Sequence, residues 1–140
     1  MTQEDKALLL KDLCARAPYG VKVCANHHVT GITAITLDRD YVETRINDLH
    51  TYKGSSIENI CPYLCPMSSM TEEEKKEYKL LANHCIVTSI GFVHIEAQTL
   101  IDWLNAHHFD YRGLIKKGLA LEAPEDMYKT DGKEKPEENK

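Results

Sequence analysis

The apolar residues change period where the chain passes Pro18, and that change limits the fold more than any other feature of the sequence. Before it, Leu8, Leu9 and Leu13, with Leu10 close by, recur at helical spacing, and Lys6, Lys11 and Asp12 read as the opposite, polar side. After it, Val21 and Val23 alternate with Lys22 and Cys24, the signature of a short half-buried strand. A period of 3.6 that gives way to a period of 2 within one short chain calls for a mixed helix and sheet architecture.

The helix has a defined start and stop. Thr2 and Asp5 have capping-box spacing. Pro18 disfavours helical geometry at Ala17, so the helix ends near Arg16 and Tyr19-Gly20 turns the chain out. Asn26-His27-His28 then reads as a turn, and Thr30 to Leu37 as a second strand rich in β-branched residues. Asp38-Arg39-Asp40 is a polar turn of hairpin length, followed by a return strand over Tyr41 to Ile46 with Val42, Thr44 and Ile46 on one face. Asn47-Asp48, Lys53-Gly54-Ser55-Ser56, Pro62 and Pro66 break the next stretch, in which Ile57, Ile60, Tyr63 and Leu64 suggest one helical turn.

Thr71 and Glu74 form a second capping-box pattern, with Glu72 and Glu73 complementing the helix dipole. Tyr78, Leu81 and Cys85 mark one face of the helix that follows, and Ile86 to Val93 reads as a loop or a further strand. A third helix runs from about Glu96 to His107, with Leu100, Trp103, Leu104 and His107 at i, i+3, i+4 and i+7. Asp110 to Gly113 breaks it, Leu114-Ile115 begins a short turn closed by Gly118, and Leu119-Ala120-Leu121 packs back on the body. The expected fold is α+β: an N-terminal helix, a small antiparallel β-meander, and two helices of the C-terminal half packed on the sheet. Residues 1–123 form a single domain in this reading, and residues 124–140 a charged tail, disordered beyond Tyr128.

Composition limits what such a domain can do. With 17 Lys+Arg against 22 Asp+Glu the net charge is −5, and no basic run exceeds the pairs Lys75-Lys76 and Lys116-Lys117. Proteins that hold phosphate backbones concentrate positive charge, so nucleic acid is a disfavoured partner, with the Arg112/Lys116/Lys117 segment its best candidate site. The acidic opening Met1-Thr2-Gln3-Glu4-Asp5 has no basic and apolar secretory pattern, and no window has the ~20 apolar residues that span a bilayer. Five cysteines, an odd set without an export signal, read as reduced thiols of a cytoplasmic protein.

Three constellations carry possible chemistry. Cys61 and Cys65, with His84, Cys85 or His94, approach a zinc knuckle, but the second closely spaced pair is missing, and no metal ligand is assigned. His108, Asp110 and Arg112 follow the third helix and form the candidate ligand-binding cluster, able to handle protons or a phosphate if they meet in one concave pocket. The plain alternative is that His107 continues the apolar stripe while Asp110 forms a turn and pairs with Arg112. Phosphate-binding glycine loops are absent, and no cysteine has the flanking signature of a nucleophile, so neither a cofactor nor a catalytic residue is assigned.

The segments Pro62 to Glu74 (PYLCPMSSMTEEE) and Asp102 to Ile115 (DWLNAHHFDYRGLI), with the opening leucine-rich helix and Pro18-Tyr19-Gly20-Val21-Lys22-Val23, resemble a family of small uncharacterised proteins carried by prophages and mobile elements of gut anaerobic bacteria. The resemblance spans most of residues 3–128 and carries no activity to transfer. In that family pattern the positions of Cys61 and Cys65 hold other residue types, which weakens the metal reading. The resemblance implies an accessory or regulatory protein of a phage or mobile element, working in a bacterial cytoplasm. The expected function is therefore non-enzymatic binding of a protein partner. Its alternatives are a small enzyme or ligand binder using His108, Asp110 and Arg112, and nucleic-acid binding.

Overall fold

The computed structural model describes residues 1–36, 41–46, 51–87 and 93–128. Helix α1 (Gln3–Arg16) starts at the expected capping box. Asp5 N–H donates to the Thr2 hydroxyl at 3.0 Å, and Thr2 N–H donates to the Asp5 carboxylate at 3.4 Å. Pro18 sits in a short 3-10 turn, Ala17–Tyr19, and Gly20 leaves it with φ of 75°. That positive φ is one a side-chain-bearing residue adopts at a cost.

Strands β1 (Lys22–Ala25), β2 (His28–Thr36) and β3 (Tyr41–Ile46) form the expected antiparallel meander. The β1–β2 turn has Asn26 and His27 both at positive φ, 52° and 70°, between the paired residues Ala25 and His28. Two consecutive left-handed residues match the right-handed twist of a tight hairpin. On β3, Val42 and Thr44 are buried and Glu43 is exposed, as the alternation requires.

The sheet continues on both sides of that meander. Strand β4 (Thr51–Ser56) pairs with β3 along its whole length, although Gly54-Ser55-Ser56 reads as a break in the sequence. Strand β5 (Ile60–Leu64) pairs with β1, so the helical turn expected over Ile57 to Leu64 is confined to a 3-10 turn at Ile57–Asn59. The reason lies in burial. Ile60, Pro62 and Leu64 face the core while Cys61 and Tyr63 are half-buried, an alternation of period 2 that the spacing of Ile57, Ile60 and Leu64 disguises as helical. A short strand β6 (Leu121–Glu122) adds in parallel to β5, giving the order β4-β3-β2-β1-β5-β6.

Helix α1 lays Leu9 and Leu13 on one face of this sheet, against Val21, Val23, Ala25, Val42, Ile60 and Leu64. Each such aliphatic side chain contributes about 1.5–3 kcal/mol when fully buried. Leu114, Leu119 and Ala120 close the same core from the C-terminal side. Helices α2 (Glu72–Val87) and α3 (Val93–Ala106) pack on each other. Tyr78, Leu100, Trp103 and Leu104 there share a second apolar cluster with Met70 and Phe109. The architecture is the α+β fold expected.

Some expectations fall outside the described residues: the last residue, Leu37, of the second strand, the turn at Asp38-Arg39-Asp40, Asn47-Asp48, most of the Ile86 to Val93 piece, and the tail beyond Tyr128. Among the described residues no helix is long and apolar enough to cross a membrane.

Candidate functional site

The end of α3 fixes the site. His107 N–H bonds to Trp103 C=O, His108 N–H to Asn105 C=O at 3.1 Å, and Phe109 N–H to Leu104 C=O at 3.0 Å. This is a Schellman closure with His108 at the left-handed position, φ 60°. The apolar contact that accompanies such closures is present, Phe109 and Leu104 both lying in the second cluster. The same pair of bonds recurs ten residues later, from Gly118 N–H to Ile115 C=O and Leu119 N–H to Leu114 C=O, with Gly118 in the left-handed place at φ 79°. Glycine adopts that backbone freely, whereas a side chain costs about 1 kcal/mol. At position 108 the fold carries that cost and keeps an imidazole.

The ring is held from several directions. Cys65 N–H donates to His108 C=O and Asp110 N–H donates to Cys65 C=O, both at 2.8 Å, which stitches residues 108–110 to the end of β5. The imidazole is 5% exposed and lies 3.8 Å, centroid to centroid, from the Tyr128 ring. The Tyr128 hydroxyl in turn accepts from Lys22 N–H and donates to Tyr63 C=O, each at 2.9 Å. It stands where a ladder bond between β1 and β5 would come next, one register step beyond the Val23–Pro62 pair. Burial, reinforced by Arg16, His107 and Lys22, pushes the His108 imidazole down to about 4. Burial pushes the Tyr128 hydroxyl up to about 12. Both rings are therefore neutral near pH 7.

His108 and Tyr128 form one wall of a cavity of about 680 Å³. Tyr19 and Gly20, the turn after α1, line another side, and Pro66, Ser69 and Thr71, which lead into α2, line a third. The last turn of α3 contributes Ala106 and His107, and the segment after β6 contributes Ala123, Pro124 and Glu125. Ligand pockets commonly fall between about 300 and 1,000 Å³.

The other two predicted site residues do not join His108 in that cavity. Both Asp110 carboxylate oxygens accept backbone bonds, from Leu114 N–H at 2.8 Å and Ile115 N–H at 3.0 Å, so this side chain caps the turn at Leu114. Arg112 donates to Asp12 at 2.8 Å instead of pairing with Asp110. Asp12 also accepts from Arg16 Nε at 2.8 Å, and Arg16 Nη2 donates to Phe109 C=O at 2.6 Å. The Tyr111 ring takes both guanidinium groups, with Arg16 Cζ at 5.3 Å and Arg112 Cζ at 4.7 Å from its centroid. The assignment of Asp12 to the polar side of α1 is thus corrected: Asp12 and Arg16 are fully buried, in line with Leu9 and Leu13. The two cations outnumber the one carboxylate, and Arg16 Nη1 and His108 Nδ1 are the buried side-chain atoms without a hydrogen-bond partner among the described residues.

Among the described residues no three His, Cys, Asp or Glu side chains group as a metal-binding set. Cys61 lies opposite Cys24 on β1, and Cys65 lies at the cavity, while the side chains of His84, Cys85 and His94 lie outside the description. Trp103 is half-buried and packs among Tyr78, His107 and Phe109, with its indole N–H donating to Glu77 at 3.3 Å. Sequence reasoning found His108 and missed Tyr128, which stacks on it, and Tyr19 and Glu122, which line the same cavity. The signal for Tyr128 was its position as one of two large apolar residues in a charged segment. Comparison with known proteins adds no name to this site: no family model, no curated protein and no solved structure matches the chain.

Proposed function

We propose that this is a non-enzymatic recognition protein that binds a polypeptide partner at the cavity walled by His108 and Tyr128. One observation carries the reading: the cavity is built around an imidazole kept in a costly left-handed backbone, neutral, and locked by stacking. A base poised near neutrality would transfer protons well, and a ring with a pKa of about 4 does so poorly. As a fixed aromatic surface, however, it loses little entropy when it binds. Tyr19, one of the exposed large apolar residues, lies in the lining. The sequence resemblance adds the context of a phage or mobile-element accessory protein acting in a bacterial cytoplasm.

The test uses Ala106→Trp, which fills the cavity from an exposed position in the last turn of α3. Affinity capture from host lysate with the wild-type chain and this variant in parallel is expected to retain a stoichiometric partner on the wild type alone. A partner retained equally by both would remove the cavity as the binding site.

A further inference from the structure

We infer that Cys24 and Cys61 form a two-sulfur site for a soft univalent metal cation, of which Cu(I) is the type. The site lies apart from the cavity and does not depend on the binding reading above, since neither cysteine stands in the cavity lining. The two belong to neighbouring strands, β1 and β5, where they are directly opposed. Both are free thiols and half-buried. Val23 and Ala25 on β1 and Ile60 on β5, which flank them, face the core under α1. The alternation of a strand therefore sends the two sulfurs to the other face of the sheet.

The register decides which chemistry the pair suits. Lys22 N–H and Tyr63 C=O both bond to the Tyr128 hydroxyl, which is set between β1 and β5. Leu64 C=O points the other way, accepting from Ala123 N–H at 2.8 Å just beyond β6. Residues 61 and 63 thus turn their backbone groups toward β1, and Cys24–Cys61 is a hydrogen-bonded pair. Such pairs are the wide ones of an antiparallel ladder, with Cα atoms about 5.5 Å apart and Cβ atoms near the top of a range of about 4.5–5.5 Å. A disulfide needs Cβ atoms about 3.5–4.5 Å apart, so the pair is too wide for one by roughly 1 Å. A metal ion bonded to two sulfurs at about 2.3 Å each holds them roughly 4.6 Å apart, a span the wide pair can supply.

The ion follows from the number and softness of the donors. Structural zinc takes four ligands in a tetrahedron. Here there are two sulfurs and, among the described residues, no third His, Cys, Asp or Glu that groups with them. Thiolates select Cu(I) among the soft ions, and its filled d shell lets it rest with two donors in line. Each thiol gives its proton to water as the ion binds, which leaves the complex with one negative charge. Lys22, two residues before Cys24 and so on the same face, offsets that charge. Val29 opposite Cys24, and Leu121 opposite Tyr63, give the pair apolar neighbours, where Ca²⁺ or Mg²⁺ would need oxygen. The sulfurs also sense each other: burial, and after it the charge of Cys24, push the Cys61 thiol up.

The experiment offers the reduced full chain Cu(I) held by bicinchoninate, without oxygen, and reads the absorbance lost as the protein takes the ion. One equivalent is expected, and the Cys14→Ser, Cys65→Ser, Cys85→Ser triple variant is expected to keep it. Cys24→Ser and Cys61→Ser are each expected to weaken binding by more than about a hundredfold, beyond the cost of losing an outer-shell partner. In the wild type the backbone amide resonances of Val29 and Tyr63 are expected to move with the added ion while those of Thr71 and Ala106 stay. That reading needs no variant to fold.

Loss of the ion in the triple variant, full retention by Cys24→Ser and Cys61→Ser, or no movement at Val29 and Tyr63 would each overturn the site. Zn(II) held as tightly as Cu(I) would overturn the two-donor geometry. A Cys24–Cys61 disulfide formed in full by oxidised glutathione would overturn the argument from spacing and make the pair a redox element instead.

Discussion

His108 sits in a backbone conformation that glycine would occupy more cheaply, and its ring is dry enough to resist protonation. Its pKa of about 4, against an ordinary 6.5, makes stability depend on pH in a defined direction. Between those values the unfolded chain binds a proton that the folded chain refuses. The stabilisation is therefore complete above pH 6.5 and is lost as pH falls toward 4, by about 3 kcal/mol at most. His108→Asn keeps a residue that tolerates left-handed backbone and removes the titration. Urea unfolding at pH 7 and pH 5 is expected to show a falling midpoint for the wild type and a smaller fall for the variant. Asp12 is the second such residue. Asp12→Ala leaves Arg16 buried without its carboxylate, and the expected loss is about 3–5 kcal/mol in the same assay. The sequence concealed this role because an aspartate in a helix reads as polar surface by default. Only its spacing from Leu9, Leu13 and Arg16, at positions 9, 12, 13 and 16, places it on the buried face.

At the level of elements, what could be read depended on whether local preference and tertiary pairing agreed. The capping boxes at Thr2 and Thr71, the stop at Pro18 and the turn closed by Gly118 are local chemistry, and all four stand as expected. Strands β4 and β5 depend on partners: Gly54-Ser55-Ser56 is extended because β3 pairs with it, and Ile60 to Leu64 because β1 does. Neither partner is visible in a local window. Tyr128 belongs to this scale as well, since its hydroxyl bridges two strands. Tyr128→Phe removes both bonds, leaves the stack on His108 and is expected to cost about 1–2 kcal/mol. Faster hydrogen exchange at the Lys22 amide, with β2–β3 pairs unchanged, is the measurement that checks it.

For the whole molecule, the cavity exists because four separated parts of the chain converge: the turn after α1, the approach to α2, the end of α3 and the segment after β6. The sequence marked His108 as a site residue, yet it gave no means of knowing that Asp110 and Arg112 turn away from it toward Leu114 and Asp12. Long-range convergence of this kind has no periodicity to read. Truncation after Ala123 removes Tyr128, and with it one cavity wall and the β1–β5 bridge. The expected result is a loss of about 2 kcal/mol in stability, seen as a lower melting temperature, together with loss of the captured partner.

The bond between Asp12 and Arg112 joins residues 100 positions apart, and it shapes how the chain comes to be folded as well as how it stays folded. During synthesis α1 emerges first, carrying an aspartate and an arginine whose remaining partners, Phe109 and Arg112, are made only much later. Its Leu9 and Leu13 likewise wait for Ile60, Leu64 and Leu114 before the core closes. The hairpins β1–β2 and β3–β4 can form locally and α1 can meet Val21 and Val23 just beyond its end, but the loop closed by the Asp12–Arg112 bond is among the longest in the chain, which favours slow, late closure at that end of the core. The nascent protein therefore holds a capped helix and a partial sheet with part of their apolar surface uncovered until Leu114 has been made. Surface left open in this way is where a folding chain is most prone to aggregate.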